Sequence, residues 1–234
     1  MNDGDRSTVF FPGAGSFGSE FRPLTEALGP ASWAVRYPGR FGRDFGEPAA
    51  SFDAVVGACV EQVTGRADPR PVLFGHSYGA YVAYASVLAL AEAGIEVAAL
   101  VVAGAAAPAL VRVPPEAAGS PEGAASYLDA VDPRLLAEAP SEDWRSVLAE
   151  TAAQDLRLLG EFASADSALA RVRCPVLAVR GEHDPLAPDD AVTEWKGSTE
   201  GAFTHHTVPG GHSDFLRSPE FATWLREMVE GIGG

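Results

Sequence analysis

Apolar residues follow two rhythms along this chain. Continuous short runs, STVFF at 7–11, PVLFG at 71–75 and VAALVVAG at 97–104, read as buried strands, and SWAVRY at 32–37 reads as another. Between them the spacing becomes helical. In FGSEFRPLTEAL the apolar positions are Phe17, Phe21, Leu24 and Leu28, and SFDAVVGACVEQV at 51–63 repeats the pattern with Ser51 as N-cap. A third helical pattern runs from the turn at Ser77 to about Ala93. Strand and helix thus alternate over the first hundred residues, which predicts a parallel sheet covered on both faces.

The alternation then lapses. Residues 105–170 contain no convincing strand, only helical pieces with apolar positions such as Leu128, Leu135, Leu136, Trp144, Leu148, Leu156, Leu159 and Phe162. It resumes with CPVLAVRGEHDP as strand and loop, PDDAVTEWKG as helix, AFTHHTVPGGH as strand and loop, and PEFATWLREMVEGI as a closing helix. The expectation is one α/β domain over residues 1–234, with a helical lid inserted at about 105–170.

Composition narrows the class. Hydrophobic residues make up 47% of 234, enough for a full core. No apolar run approaches the roughly 18–20 residues that span a bilayer. The opening MNDGDRSTVFFPGAG is acidic and lacks the basic and apolar regions of a signal peptide, so a cytoplasmic location is expected. The two cysteines, Cys59 and Cys174, fit buried thiols and make no metal motif. A net charge of −15 argues against nucleic acid as a partner. Residues 116–170 concentrate the acidity, with eleven acids against three arginines.

The chemistry gathers around LFGHSYGAYVAY, Leu73 to Tyr84. GHSYG fits G-x-S-x-G, a nucleophile elbow, and it stands after a buried strand and before a long helix. Gly75 and Gly79 let such a turn close, so that Ser77 projects above the sheet edge. A serine hydroxyl is a weak nucleophile and needs a base, which in turn needs an orienting acid. Of five histidines, His76 lies inside the elbow and points elsewhere, His183 precedes an acid in a strand-end loop, and His205 and His206 are neighbours within a strand, so one should face solvent. His212 combines a flexible loop with the C-terminal edge of the sheet and is the expected base. Asp184, at the end of a buried strand and before Pro185, is the expected acid, with Glu182 and Asp189 as alternatives. The oxyanion hole needs two donors. Tyr78 N–H is the first and Ala14 N–H, in the small-residue loop FFPGAGS, the second.

With these residues in place, the chain resembles the stand-alone (type II) thioesterases of polyketide and non-ribosomal peptide biosynthesis, within the α/β-hydrolase superfamily. FPGAGS at 11–16, YPGRFGR at 37–43, the elbow, CPVLAVRGEHDP and WKGSTEGAF…VPGGH carry the likeness over nearly the whole chain. The resemblance implies an α/β-hydrolase fold and Ser77, Asp184 and His212 as a triad. It implies hydrolysis of an acyl or aminoacyl thioester from the phosphopantetheine arm of an acyl or peptidyl carrier protein, with no metal or organic cofactor. A monomer is expected. Three departures bear on substrate range. Tyr78 stands where the family commonly has Met, Ser213 and Asp214 follow the histidine directly, and the lid is short and alanine-rich.

Arg36, Arg40 and Arg43 form the one basic cluster of the first half. They read either as a docking patch for an acidic carrier or as internal partners of Asp44 and Glu47. Two other functions remain open: an oxyester hydrolase or acyltransferase on the same triad, and a non-catalytic carrier-binding protein of the same fold.

Overall fold

The computed structural model describes residues 7–66 and 70–232, so the stretch before Ser7, part of the N-terminal reading, lies outside the described residues. The elements run β1 (Thr8–Phe11), α1 (Arg22–Leu28), β2 (Trp33–Ala34), α2 (Phe52–Thr64), β3 (Val72–His76), α3 (Tyr78–Glu92) and β4 (Ala99–Ala103). Four helices follow, α4 (Pro115–Gly119), α5 (Pro121–Val131), α6 (Pro133–Ala137) and α7 (Glu142–Ala163). Then come β5 (Val176–Gly181), α8 (Asp189–Thr193), β6 (Phe203–Val208) and α9 (Pro219–Gly231). The described strands form one sheet in the order β2-β1-β3-β4-β5-β6, and every neighbouring pair is parallel.

The continuous apolar runs are explained by burial on both faces. In β1, Val9 and Phe11 join the core shared with α2, α3 and α7, whereas Phe10 packs with Phe21, Phe74 and Phe221 beneath α1 and α9. The period-2 alternation of side chains therefore feeds two cores from one strand. Each fully buried Phe or Leu contributes on the order of 1.5–3 kcal/mol relative to exposure.

Local chemistry sets the helix starts. Ser51 accepts from the Ala54 N–H at the head of α2, and Ser141 and Ser218 cap α7 and α9 in the same way. Pro115, Pro121 and Pro133 each occupy the first position of a helix. A proline cannot continue a helix already in progress, so the chain after β4 is cut into three short pieces before the uninterrupted α7.

Two elements are shorter than the sequence pattern predicts. Phe17 lies outside α1, which starts at Arg22 after a single tight turn at Ser19–Phe21. Of SWAVRY only Trp33 and Ala34 pair with β1. The Val35 N–H still reaches the Phe10 carbonyl at 2.9 Å, but the Arg36 N–H and carbonyl are both taken by the Gln62 side-chain amide, at 2.9 and 2.8 Å. An edge strand has one ladder only, and a side chain from α2 replaces it.

Because all strands point the same way, the loops after β1, β3, β4, β5 and β6 gather at one edge of the sheet. That edge holds the candidate site.

Candidate active site

Ser77 is the only non-glycine residue with positive φ among the described residues, at φ 54° and ψ −122°. Such a conformation is strained and is held by its surroundings. The Ser77 N–H donates to the Ala103 carbonyl at 2.8 Å, and the Ala80 N–H donates to the Ser77 carbonyl at 2.9 Å. The two flanking glycines are sterically required. A Cβ at Gly75 would come within 2.3 Å of the Gly79 carbonyl oxygen, and one at Gly79 within 2.0 Å of the Phe11 carbonyl oxygen. The strand-to-helix turn can close only without those side chains.

His212 and Asp184 meet across two loops. His212 Nδ1–H donates to the Asp184 carboxylate, 2.9 and 3.0 Å from its two oxygens. Both side chains are buried. The same carboxylate accepts from the Leu186 N–H at 2.9 Å, so the tight turn into Pro185 fixes it from behind. Burial pushes the Asp184 carboxyl up, but the hydrogen bond and charge of His212 and the Leu186 N–H outweigh it, leaving the group below its usual range. Glu182 is exposed, and Asp189 faces Arg180 and His205, 4.0 and 3.7 Å away.

His76 does not point elsewhere, as the sequence suggested. Its Nε2–H donates to the His212 carbonyl at 3.0 Å, and the two rings lie 4.8 Å apart. Burial and the neighbouring His212 lower its pKa to about 4, so it is a neutral support beneath the histidine loop. His205 and His206 are both half-buried, and His206 stacks on Trp224 at 4.2 Å. Their strand is a sheet edge, where Trp224 of α9 covers His206 on one face and Asp189 of α8 stands beside His205 on the other. His183 is exposed.

The loop after β1 approaches the elbow closely. A Cβ built on Gly13 would lie 3.6 Å from Ser77 Cβ and 3.4 Å from His76 Nδ1. Ala14 is buried in this loop, and Tyr78 opens α3 directly after the serine. A cavity of about 340 Å³ is bounded by Ala14, Ser77, Tyr78 and His212 and walled by apolar side chains including Tyr81, Leu128, Leu156 and Leu159. Its rim is polar, with Asp132, Ser213 and Arg217.

Tyr78, the residue in the commonly Met position, packs its ring between Tyr37 and Phe52 at 5.8 and 6.1 Å. Its buried Oη has no hydrogen-bond partner among the described residues. The arginine cluster is split by the fold. Arg40 is buried and pairs with Asp155 of α7, not with Asp44 or Glu47, so it is not part of a docking surface. Arg36 and Arg43 are exposed, and Arg36 lies 5.2 Å over the Phe41 ring. Cys59 and Cys174 are free and buried, with burial pushing both thiols up. Among the described residues no helix is long and apolar enough to cross a membrane.

Several site contacts carry no local sequence signal. Gly104, at the end of β4, supports the His212 ring. Asp132 accepts from the Ser213 hydroxyl, and Asp155 reaches the loop after β1. Each joins segments far apart in the chain, so only a correct docking of the helices could have revealed it.

A parallel sheet in this strand order, helices on both faces, a serine at a strained strand-to-helix turn and helices inserted after β4 define the α/β-hydrolase fold. The chain belongs to the thioesterase domain family, whose model matches residues 7–229. It is similar to thioesterase PikA5 of Streptomyces venezuelae, 32% identical over 224 residues that make up 87% of this chain and 73% of that protein. Its fold is similar to that of RedJ, a thioesterase from the prodiginine biosynthetic pathway in Streptomyces coelicolor, with TM-score 0.82, 24% identity, and 97% and 85% of the two chains covered. It is likewise similar to BorB, the type II thioesterase from the borrelidin biosynthetic cluster, with TM-score 0.81, 25% identity, and 98% and 93% covered. The family resemblance drawn from the motifs is borne out.

Proposed function

We propose that this thioesterase hydrolyses acyl or aminoacyl thioesters on the phosphopantetheine arm of a carrier protein in a polyketide or non-ribosomal peptide pathway, clearing stalled or wrongly primed carriers. The observation that carries the proposal is the strained Ser77 elbow opening into the same apolar cavity as His212, whose Nδ1 is held by buried Asp184. The likeness to a type II thioesterase from a biosynthetic cluster supports the reading.

The chemistry follows from the parts. With Nδ1–H engaged by Asp184, His212 presents the lone pair of Nε2 as base. Ser77 Oγ attacks the thioester carbonyl as His212 takes its proton. The developing oxyanion accepts from the Ala14 and Tyr78 N–H groups. The C–S bond breaks, His212 returns the proton to the leaving thiolate, and an acyl-serine remains. His212 then takes a proton from water, which attacks the ester, and the carboxylic acid and free Ser77 are released. The apolar wall suits an acyl chain.

The helices between β4 and β5 act as a lid over this cavity in our reading, within a single domain. Arg36 and Arg43 are exposed cations in the segment after β2 and form the candidate carrier contact. The test is intact-protein mass spectrometry of carrier proteins loaded with acetyl, propionyl, longer acyl or aminoacyl groups. Loss of the acyl mass with wild type and not with Ser77→Ala is the expected result. Cleavage of a simple oxyester with every carrier load left intact would replace the proposal with an esterase or transferase.

A further inference from the structure

The loop that carries Ala14 is held by three side chains from outside it. Tyr37 Oη–H donates to the Pro12 carbonyl at 3.0 Å. Arg40 donates from Nη1 to the Ser16 carbonyl and from Nη2 to the Asp155 carboxylate. Asp155 accepts from the Gly15 N–H at 2.8 Å. Ala14 is thus bracketed by fixed backbone groups on both sides. Its neighbour Gly15, at φ +72°, lies so close to α7 that a Cβ there would come within 2.8 Å of the Leu148 carbonyl oxygen and 3.0 Å of Ala152 Cβ.

Arg40 and Asp155 are both buried, with side chains 4% and 8% exposed. Stability alone is a poor reason for such a pair, because desolvating two charges commonly costs more than their attraction returns, and apolar residues of similar volume do as well. What an apolar pair lacks is the ability to hold a backbone N–H and a backbone carbonyl at defined points. The arrangement uses both partners for that purpose, on a loop whose Gly13 lies beside Ser77.

We propose that Asp155 is a positioning residue for the oxyanion loop, acting through the Gly15 N–H and, with Arg40, the Ser16 carbonyl, to aim the Ala14 N–H at the reacting carbonyl. The longest helix of the insertion is then part of the catalytic frame. The inference rests on the serine mechanism proposed above, in which Ala14 is an oxyanion donor.

The test measures Asp155→Asn and the double variant Arg40→Met/Asp155→Leu against wild type. Readouts are kcat and KM on a small acyl-N-acetylcysteamine thioester, inhibition by an alkylboronic acid that forms a tetrahedral adduct on serine, and thermal melting. All rates are referred to sites titrated with a fluorophosphonate. Asp155→Asn should lower kcat by about 10–100-fold with KM within about twofold, and weaken the boronate by a similar factor, as expected for a misplaced catalytic group. The double variant should melt closer to wild type than Asp155→Asn yet stay slow. Unchanged kcat and boronate affinity in Asp155→Asn, a kcat loss without a boronate loss, or wild-type turnover by the double variant would each overturn the proposal. Failure of the fluorophosphonate to label wild type would instead remove the serine mechanism beneath it.

Discussion

Gly104 leaves room for the His212 imidazole that no other residue would leave. A Cβ on Gly104 would stand 3.1 Å from His212 Cε1 and 3.2 Å from Asp184 Oδ2, and its φ of +62° is one that favours glycine. The first residue after β4 therefore limits how deep the imidazole can rest.

Gly104→Ala is predicted to push the ring and its carboxylate partner by a few tenths of an ångström or more. Such a displacement lowers kcat by about 10–100-fold. The left-handed backbone adds about 1–2 kcal/mol of destabilisation. Steady-state kinetics and thermal melting of the variant check both. Wild-type kcat in a folded Gly104→Ala protein would show that the ring tolerates the crowding.

Tyr78 provides a backbone N–H to the candidate oxyanion hole and an aromatic ring to the core. Burial pushes its phenol pKa well up, and its Oη is unpartnered among the described residues. Removing an unsatisfied buried hydroxyl is neutral or favourable, by about 1 kcal/mol. Tyr78→Phe is predicted to melt at or above the wild-type temperature with the same activity on every acyl load. Tyr78→Ala should cost about 3–5 kcal/mol, because a cavity opens between Tyr37 and Phe52. A loss confined to polar acyl loads in Tyr78→Phe would mean that the hydroxyl binds substrate after all.

Much of this site was legible because each signal is local. Gly75, Ser77 and Gly79 sit within one turn, and Asp184 and His212 each follow a recognisable strand. The cooperating contacts were not legible. Arg40 and Asp155 lie 115 positions apart, and Asp132 and Ser213 lie 81 apart. Nothing in periodicity says how α7 docks on the loop after β1. The same gap explains the misreading of the arginine cluster. Spacing grouped Arg36, Arg40 and Arg43 together, but burial depends on which side chain finds a carboxylate across the fold. In the sheet, the buried strands were legible from their apolar runs, whereas β2 was read too long because Gln62, on another element, ends its pairing.

His76 predicts an acid weakness. An exposed histidine in the unfolded chain titrates near 6.5, while in the fold burial and His212 hold it at about 4. Between those values the unfolded chain binds more protons, so stability falls as pH falls through the window. The full difference is about 3 kcal/mol. Asp184, with a lowered pKa, adds a further loss in the carboxylate range below that. Melting temperature should drop steadily from about pH 6.5 to pH 4, and His76→Gln should flatten that slope while Gln keeps a donor for the His212 carbonyl. An identical slope in the variant would locate the acid sensitivity elsewhere.

The insertion is fastened in two different ways. Its long helix α7 is joined to the fold by the buried Arg40–Asp155 pair and by Phe162 against Phe52, with ring centroids 4.9 Å apart. The segment from Asp132 to Glu138 instead meets the histidine loop through polar contacts near water. Arg217 donates to both Glu138 oxygens at 2.7 and 2.6 Å, Arg134 pairs with Asp214 at 2.9 Å, and the Ser213 hydroxyl donates to Asp132. The side chains of the two ion pairs are 41% to 54% exposed, where each pair contributes about 0–1 kcal/mol and is screened by salt. Raising sodium chloride from about 0.05 to 1 M, which shortens the screening length to roughly 3 Å, should therefore speed amide hydrogen exchange in α5 and α6 severalfold and leave the middle of α7 unchanged. Peptide-resolved exchange mass spectrometry separates the two. Equal acceleration along the whole insertion would mean that α7 moves with the rest, and equal protection at both salts would mean that apolar packing, not these ion pairs, holds the outer helices down.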